Sequence, residues 1–333
     1  MITQTSTARP APPSFWSRSM ARVGTQNLSL LLALVILVAI FGSLRPDVFF
    51  LPRNLVNIGL AITILGILAM AQTVVIVAGG LDISVGSIVG LATMVVAITM
   101  QSTGSAALGI GAALGAAALA GLANGLIITY GRVNAVIATL GTMAAFRGFA
   151  FLTSGGSSVS VVNERFRILG NGVLLFFPVP ILVLLAVLVV FAVFLNTTVV
   201  GRNIYAIGGN PTVARLAGIP IRRYQIGIYI LSGVAAGIAG LLLASRTMSG
   251  QPASGSQGLE LEAITAAILG GCALQGGKGT IFGALLGVLI IGVLNNGLIL
   301  TSVPTFYQLI AKGALLIVAV MIQERQMRRA GEA

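Results

Sequence analysis

GAALGAAALAGLANGLIIT occupies positions 111–129, and GALLGVLIIGVLNNGLILT occupies 283–301. Gly111 matches Gly283, Gly115 matches Gly287, and the pair Asn124–Gly125 matches Asn296–Gly297 at the same offset of 172 positions. Beyond each copy Gly141 matches Gly313, and upstream LDIS at 81–84 corresponds with a short gap to LELE at 259–262. Small-residue packing in apolar helices explains a G-x-x-x-G on its own. It does not explain an ungapped Asn-Gly-Leu-Ile run in both places. The chain therefore reads as two related halves.

The surroundings of the repeat set its medium. Of 333 residues, 57% are hydrophobic and 8% charged, against about 25% charged in soluble domains. Such a surface belongs in a bilayer. Apolar stretches fall at 28–44, 55–78, 83–101, 105–129, 133–152, 178–196, 225–245, 259–275, 281–301 and 306–322. Read as spans, they make an all-α polytopic bundle of about ten spans, with eight or nine if 133–152 or 259–275 is re-entrant. The expected division is a cytoplasmic tail 1–27, a transmembrane body 28–325 and a cytoplasmic tail 326–333. With both termini inside, twelve basic residues lie in inner segments and five (Arg45, Arg53, Arg165, Arg167, Arg246) in outer ones, as the positive-inside rule requires. The same rule accounts for the net charge of +12 without nucleic acid.

In this topology 105–129 runs inward and 281–301 outward, so the repeat is inverted. Inverted repeats belong to proteins that open alternately to either side, with the substrate site near chain breaks inside the membrane. VAGGLDISVGS (77–87) is one such break, and SGQPASGSQGLELEAI (249–264) is its counterpart. Asp82 stands where a helix-capping carboxylate would stand, and also where a gate residue would. Glu260 and Glu262 open the short span, as caps or as an outward docking point. Asn124 and Asn296, with Asn295, line a polar path or bond across helices. Arg147 and Lys312 lie within about 9 Å of a span end, near enough for their heads to snorkel to the interface.

Enzyme chemistry finds no footing. There is no histidine and a single cysteine, Cys272; no nucleophile–base set or metal motif exists. GGCALQGGKGT (270–280) only superficially resembles a phosphate loop, since position 272 is cysteine and Gly279 follows Lys278; the motif requires glycine and Ser or Thr there. No cofactor is expected, and the driving force must come from an ion gradient or a partner. The inner segment 197–224, with four arginines, favours a partner. Pro211 after Asn210 starts a helix over 211–217, and Gly218 and Pro220 stop it. That ordered helix-turn has the form of a docking element.

GGLDISVGS (79–87), NAVIATLGTM (134–143), GRNIYAIGGNPTVARLAGI (201–219) and LGGCALQGGKGTIFGALLG (269–287) together resemble the membrane permease subunit of bacterial ABC sugar importers of the ribose/xylose/arabinose/galactoside type. The likeness covers nearly all the chain past residue 28. It implies an inner-membrane permease that pairs with a second permease copy, surrounded by membrane lipid. Cytoplasmic ATPase subunits would dock around Ala214, Arg215 and Gly218, and a periplasmic sugar-binding protein would deliver a monosaccharide. The chain departs from the family's usual hydroxyl residues at Cys272 and Ala273. An ion-gradient-driven secondary transporter is the alternative; its coupling acids would be Asp82, Glu260 and Glu262.

Overall fold

A computed structural model describes residues 15–331, with side chains from 27 to 321. Residues 1–14 and 332–333, parts of the two expected tails, lie outside the described residues. The elements run α1 (Phe15–Leu44), α2 (Pro46–Phe49), α3 (Pro52–Val77), α4 (Val85–Thr103), α5 (Ala106–Tyr130), α6 (Ala135–Leu152), β1 (Val159–Ser160), α7 (Glu164–Asn171), β2 (Val173–Leu174) and β3 (Phe177–Pro178). They continue with α8 (Val179–Thr197), α9 (Val199–Gly209), α10 (Pro211–Leu216), α11 (Ile221–Thr247), β4 (Ser249–Gly250), α12 (Leu259–Leu269), α13 (Ile281–Leu300) and α14 (Thr305–Gly331).

Every apolar stretch marked in the sequence forms a helix. Among the described residues eight are long and apolar enough to cross a membrane: α1 from Asn27, α3, α4, α5, α6, α8, α11 and α13. α12 is different. Its 11 residues rise only about 16 Å, half a hydrocarbon core, because Gly270 and Gly271 end it. The stretch 259–275 is thus a half-length helix followed by a loop. The strands are two-residue pairs. Antiparallel β1–β4 pairing joins the segment after α6 to the segment before α12.

The two halves exchange their first helices. α3 packs against α11, α13 and α12 of the second half, whereas α11 packs against α5 and α4 of the first. α3 and α11 touch each other between them. Backbone contact makes these seams close. A Cβ on Gly121 of α5 would stand 2.2 Å from the Tyr229 carbonyl of α11, and one on Gly287 of α13 would stand 2.1 Å from the Ala266 carbonyl of α12. The glycine pairs of the repeat are nevertheless not used alike. Gly283 and Gly287 lie on α12, while a Cβ at Gly111 or Gly115 would meet nothing within 4 Å. In the first copy the seam lies later, at Gly121 and Gly125.

Candidate functional site: two chain breaks and a docking helix

After α3 the chain turns at Gly79 (φ +82°) and drops Asp82 into the interior, with no exposed surface. One carboxylate oxygen accepts from the Ser84 amide (3.0 Å) and hydroxyl (2.6 Å). The other accepts from the Ser232 hydroxyl of α11 at 2.7 Å. Ser84 Oγ accepts in turn from Asn124 Nδ2 of α5 (2.7 Å), and Asn124 Oδ1 accepts from Thr142 of α6 (2.6 Å). Gln72 of α3 donates to the Asp82 carbonyl. The carboxylate thus ties the chain break to α11 and, through Ser84 and Asn124, to α5 and α6, while the Asp82 carbonyl ties it to α3. Asp82 does not cap α4. The residue at the cap position is Ser84, and the amide the carboxylate accepts from is that of Ser84 itself.

The second break meets the first. Glu260, in the first turn of α12, is 6% exposed and accepts from the Gly258 amide at 3.3 Å. Its Oε2 is buried without a hydrogen-bond partner and lies where a Cβ on Gly86, in the first turn of α4, would be only 2.0 Å away. Only glycine at 86 leaves room for it. Glu262 points elsewhere and pairs with Lys312 of α14 at 2.7 Å. The Glu262 carboxylate holds the Lys312 head in place. Arg147 of α6 keeps its Nε and Nη2 buried without partners. Asn296, the repeat equivalent of Asn124, stays outside the Asp82 network. It exchanges two hydrogen bonds with Asn54 of α3, at 2.8 and 3.1 Å.

At the Val77 end of α3 and the Ile221 end of α11 lies the segment with the predicted helix-turn. Asn210 caps α10 by accepting from the Thr212 and Val213 amides at 3.0 and 3.1 Å. Gly218 (φ +80°) ends it, with Ile219 N–H returning to the Ala214 carbonyl at 3.1 Å. Ala214 is buried beneath the helix, while Arg215 and Gly218 are exposed. Val213 and Leu216, which the sequence analysis did not single out, are 59% and 84% exposed. Their i, i+3 spacing amid basic residues was the available signal. α9 fastens this helix to the body. A Cβ at Gly208 would lie 1.8 Å from the Val77 carbonyl that ends α3, and Gly276 and Gly277 of the α12–α13 loop press on Gly208 and Gly209. The Tyr205 hydroxyl donates to the Gly279 carbonyl at 2.7 Å. The glycine-rich loop is therefore a backbone joint, and its residues are consumed in packing. Among the described residues no cluster of His, Cys, Asp and Glu is built to hold a metal ion.

The chain is similar to known permeases along most of its length. The family model described as branched-chain amino acid transport system / permease component matches residues 54–320. An L-arabinose ABC transporter permease (AraH) of Azospirillum brasilense is 39% identical over 327 residues, 96% of each chain. The ribose import permease RbsC of Bacillus subtilis (strain 168) is 41% identical over 303 residues, covering 90% of this chain and 94% of that one. The Escherichia coli (strain K12) RbsC is 39% identical over 300 residues, 89% and 93% of the two chains. No solved structure matches the chain.

Proposed function

This chain belongs to the branched-chain amino acid transport system / permease component family, as the membrane subunit of a sugar ABC importer, and on that footing we propose that it carries a ribose-like pentose inward. It is a multi-pass inner-membrane protein and not itself an enzyme. Permeases of this kind work with an ATPase and a periplasmic binding protein. Here the ATPase docks on α10, with Ala214 as its buried foot, Arg215 and the exposed Val213 and Leu216 as contacts, and Gly218 setting the turn. Two permease copies flank the path. The binding protein releases sugar at the outer mouth.

Meeting of the two chain breaks is the observation that carries the transport reading. Each half contributes one interrupted segment, and the first turns of α4 and α12 touch through Gly86 and Glu260. Such breaks are where inverted-repeat transporters place their moving parts. Asp82 and Asn124 act as a latch: their hydrogen bonds hold the start of α4 against α11, α5 and α6 and are exchanged when the halves rock. Glu260 and the Glu262–Lys312 pair hold the matching start of α12, and Asn296 anchors α13 to α3. The joint of α9 with α3 and the α12–α13 loop carries movement of α10 to both breaks, because close-packed backbone transmits displacement rather than absorbing it.

The test is uptake of labelled ribose and L-arabinose in cells lacking the chromosomal copy, with this chain restored. Pentose uptake should depend on ATP, persist when the proton gradient alone is collapsed, and coincide with a co-purifying ATPase. Uptake that follows the gradient and ignores ATP overturns the assignment. Transport of neither pentose overturns the substrate.

A further inference from the structure

Beside the docking helix, a cavity of about 850 Å³ opens between the end of α5, α10 and the start of α11. Arg132, Arg215, Arg222 and Arg223 all line it, and no carboxylate does. Arg222 is steadied over the Tyr130 ring, 5.8 Å from its centre. Among the described residues none of the four has an ion pair. Four clustered cations with no counter-charge make an anion-selective site.

A second cavity, of about 360 Å³, shares Arg223 with the first and is lined otherwise almost wholly by apolar groups, including Phe194, Ile204, Gly227 and Leu231. Arg223 lies in the first turn of α11. Leu231 lies eight residues further, about 12 Å deeper along the same helix. The two cavities adjoin at Arg223, the charged one at the start of α11 and the apolar one running along it, and together offer an amphipathic slot.

We propose that this slot binds an anionic glycerophospholipid. The phosphate sits among the arginines, and one acyl chain lies along α11 against Phe194 and Ile204. A basic pocket between helices at the membrane face is the physical requirement for such a headgroup, and the adjoining groove distinguishes a lipid from an acidic protein surface, which would leave it unfilled. Arg215 is one wall of the cavity, so the headgroup bridges α10 to the ends of α5 and α11. The lipid becomes part of the docking platform and sets how firmly α10 follows the bundle. The inference needs the chain's membrane location and nothing about which sugar it carries.

The experiment uses the permease purified with its ATPase and stripped of lipid. Phosphatidylglycerol or phosphatidylcholine with the same acyl chains is added, and bound lipid is read by native mass spectrometry. The wild-type complex should retain phosphatidylglycerol in preference to phosphatidylcholine. Arg132→Gln with Arg223→Gln should weaken that preference about 30-fold, from two surface charges. Gly227→Leu should weaken retention about tenfold without touching the headgroup site. A Cβ there meets nothing within 4 Å, so the side chain enters the groove without disturbing the fold. Equal retention of both lipids, or unchanged binding in both variants, overturns the proposal. Loss of the ATPase from the arginine variant with phosphatidylglycerol binding intact assigns the cavity to the protein partner and also overturns it.

Discussion

Replacing Gly218 tests the docking helix through its backbone alone. Its φ of +80° lies in the left-handed region, which costs an L-residue about 1–2 kcal/mol. A Cβ there meets no atom within 4 Å, so sterics add nothing. The strain lands on the turn that returns Ile219 N–H to the Ala214 carbonyl. If the ATPase binds only the closed turn, the docking-competent fraction falls by a factor of about 5–30, and apparent affinity falls with it. Asparagine tolerates this region better than other non-glycine residues, and a β-branched residue tolerates it least. ATPase retained on the tagged permease, and ATP-driven uptake, should therefore fall in the order Gly, Asn, Ala, Val. Amounts of inserted protein should stay level. Gly148→Ala on α6, in open space and without a positive φ, should change neither readout. A Gly218→Val variant that holds ATPase and transports like the parent refutes the reasoning.

Two further outcomes concern stability, read by thermal unfolding in detergent. Gly287→Ala should destabilise by about 1–3 kcal/mol through overpacking, because its Cβ would lie 2.1 Å from the Ala266 carbonyl. Gly115→Ala, the matching site of the other copy, should be neutral or gain up to about 1 kcal/mol of helix propensity; equal losses would contradict the seam assignment. Lys312→Met strips Glu262 of its partner and should cost about 1–3 kcal/mol, whereas adding Glu262→Gln should recover most of it. A double variant no more stable than Lys312→Met alone would show that the 2.7 Å pair is incidental.

Local signals were legible in the chain and distant ones were not. α10 begins at Pro211 as expected and ends at Leu216, within a residue of the reading, because Asn210, Pro211 and Gly218 act on their immediate neighbours. The repeat was visible because Asn-Gly-Leu-Ile recurs in register. Its consequence, the exchange of α3 and α11, was not, since nothing local to either helix names its partner. Asp82 was found as a break residue and misplaced as a cap. Its deciding partner, Ser232, is 150 positions away. Lys312 was expected at the interface because distance to a helix end is readable from sequence, whereas the nearness of Glu262, 50 positions earlier, is a product of the fold. Glu260 was found, but the glycine that makes room for it was not, because Gly86 looks like any other small residue in an apolar run.

The exchanged helices put a wait into the protein's synthesis. α3 is complete at Val77, but two of its main partners, α12 and α13, begin only at Leu259 and Ile281. Roughly 180 residues must be made in between, about 10–40 s at ordinary rates of translation. Throughout that interval Thr73, fully enclosed in the finished molecule and in contact there with Cys272, lacks the cover of the second half. A newborn α3 is thus a span with part of its packing face uncovered, and it needs shelter from the insertion machinery or a temporary neighbour. The second half has no such delay, for α11 emerges after α4 and α5 are already in place.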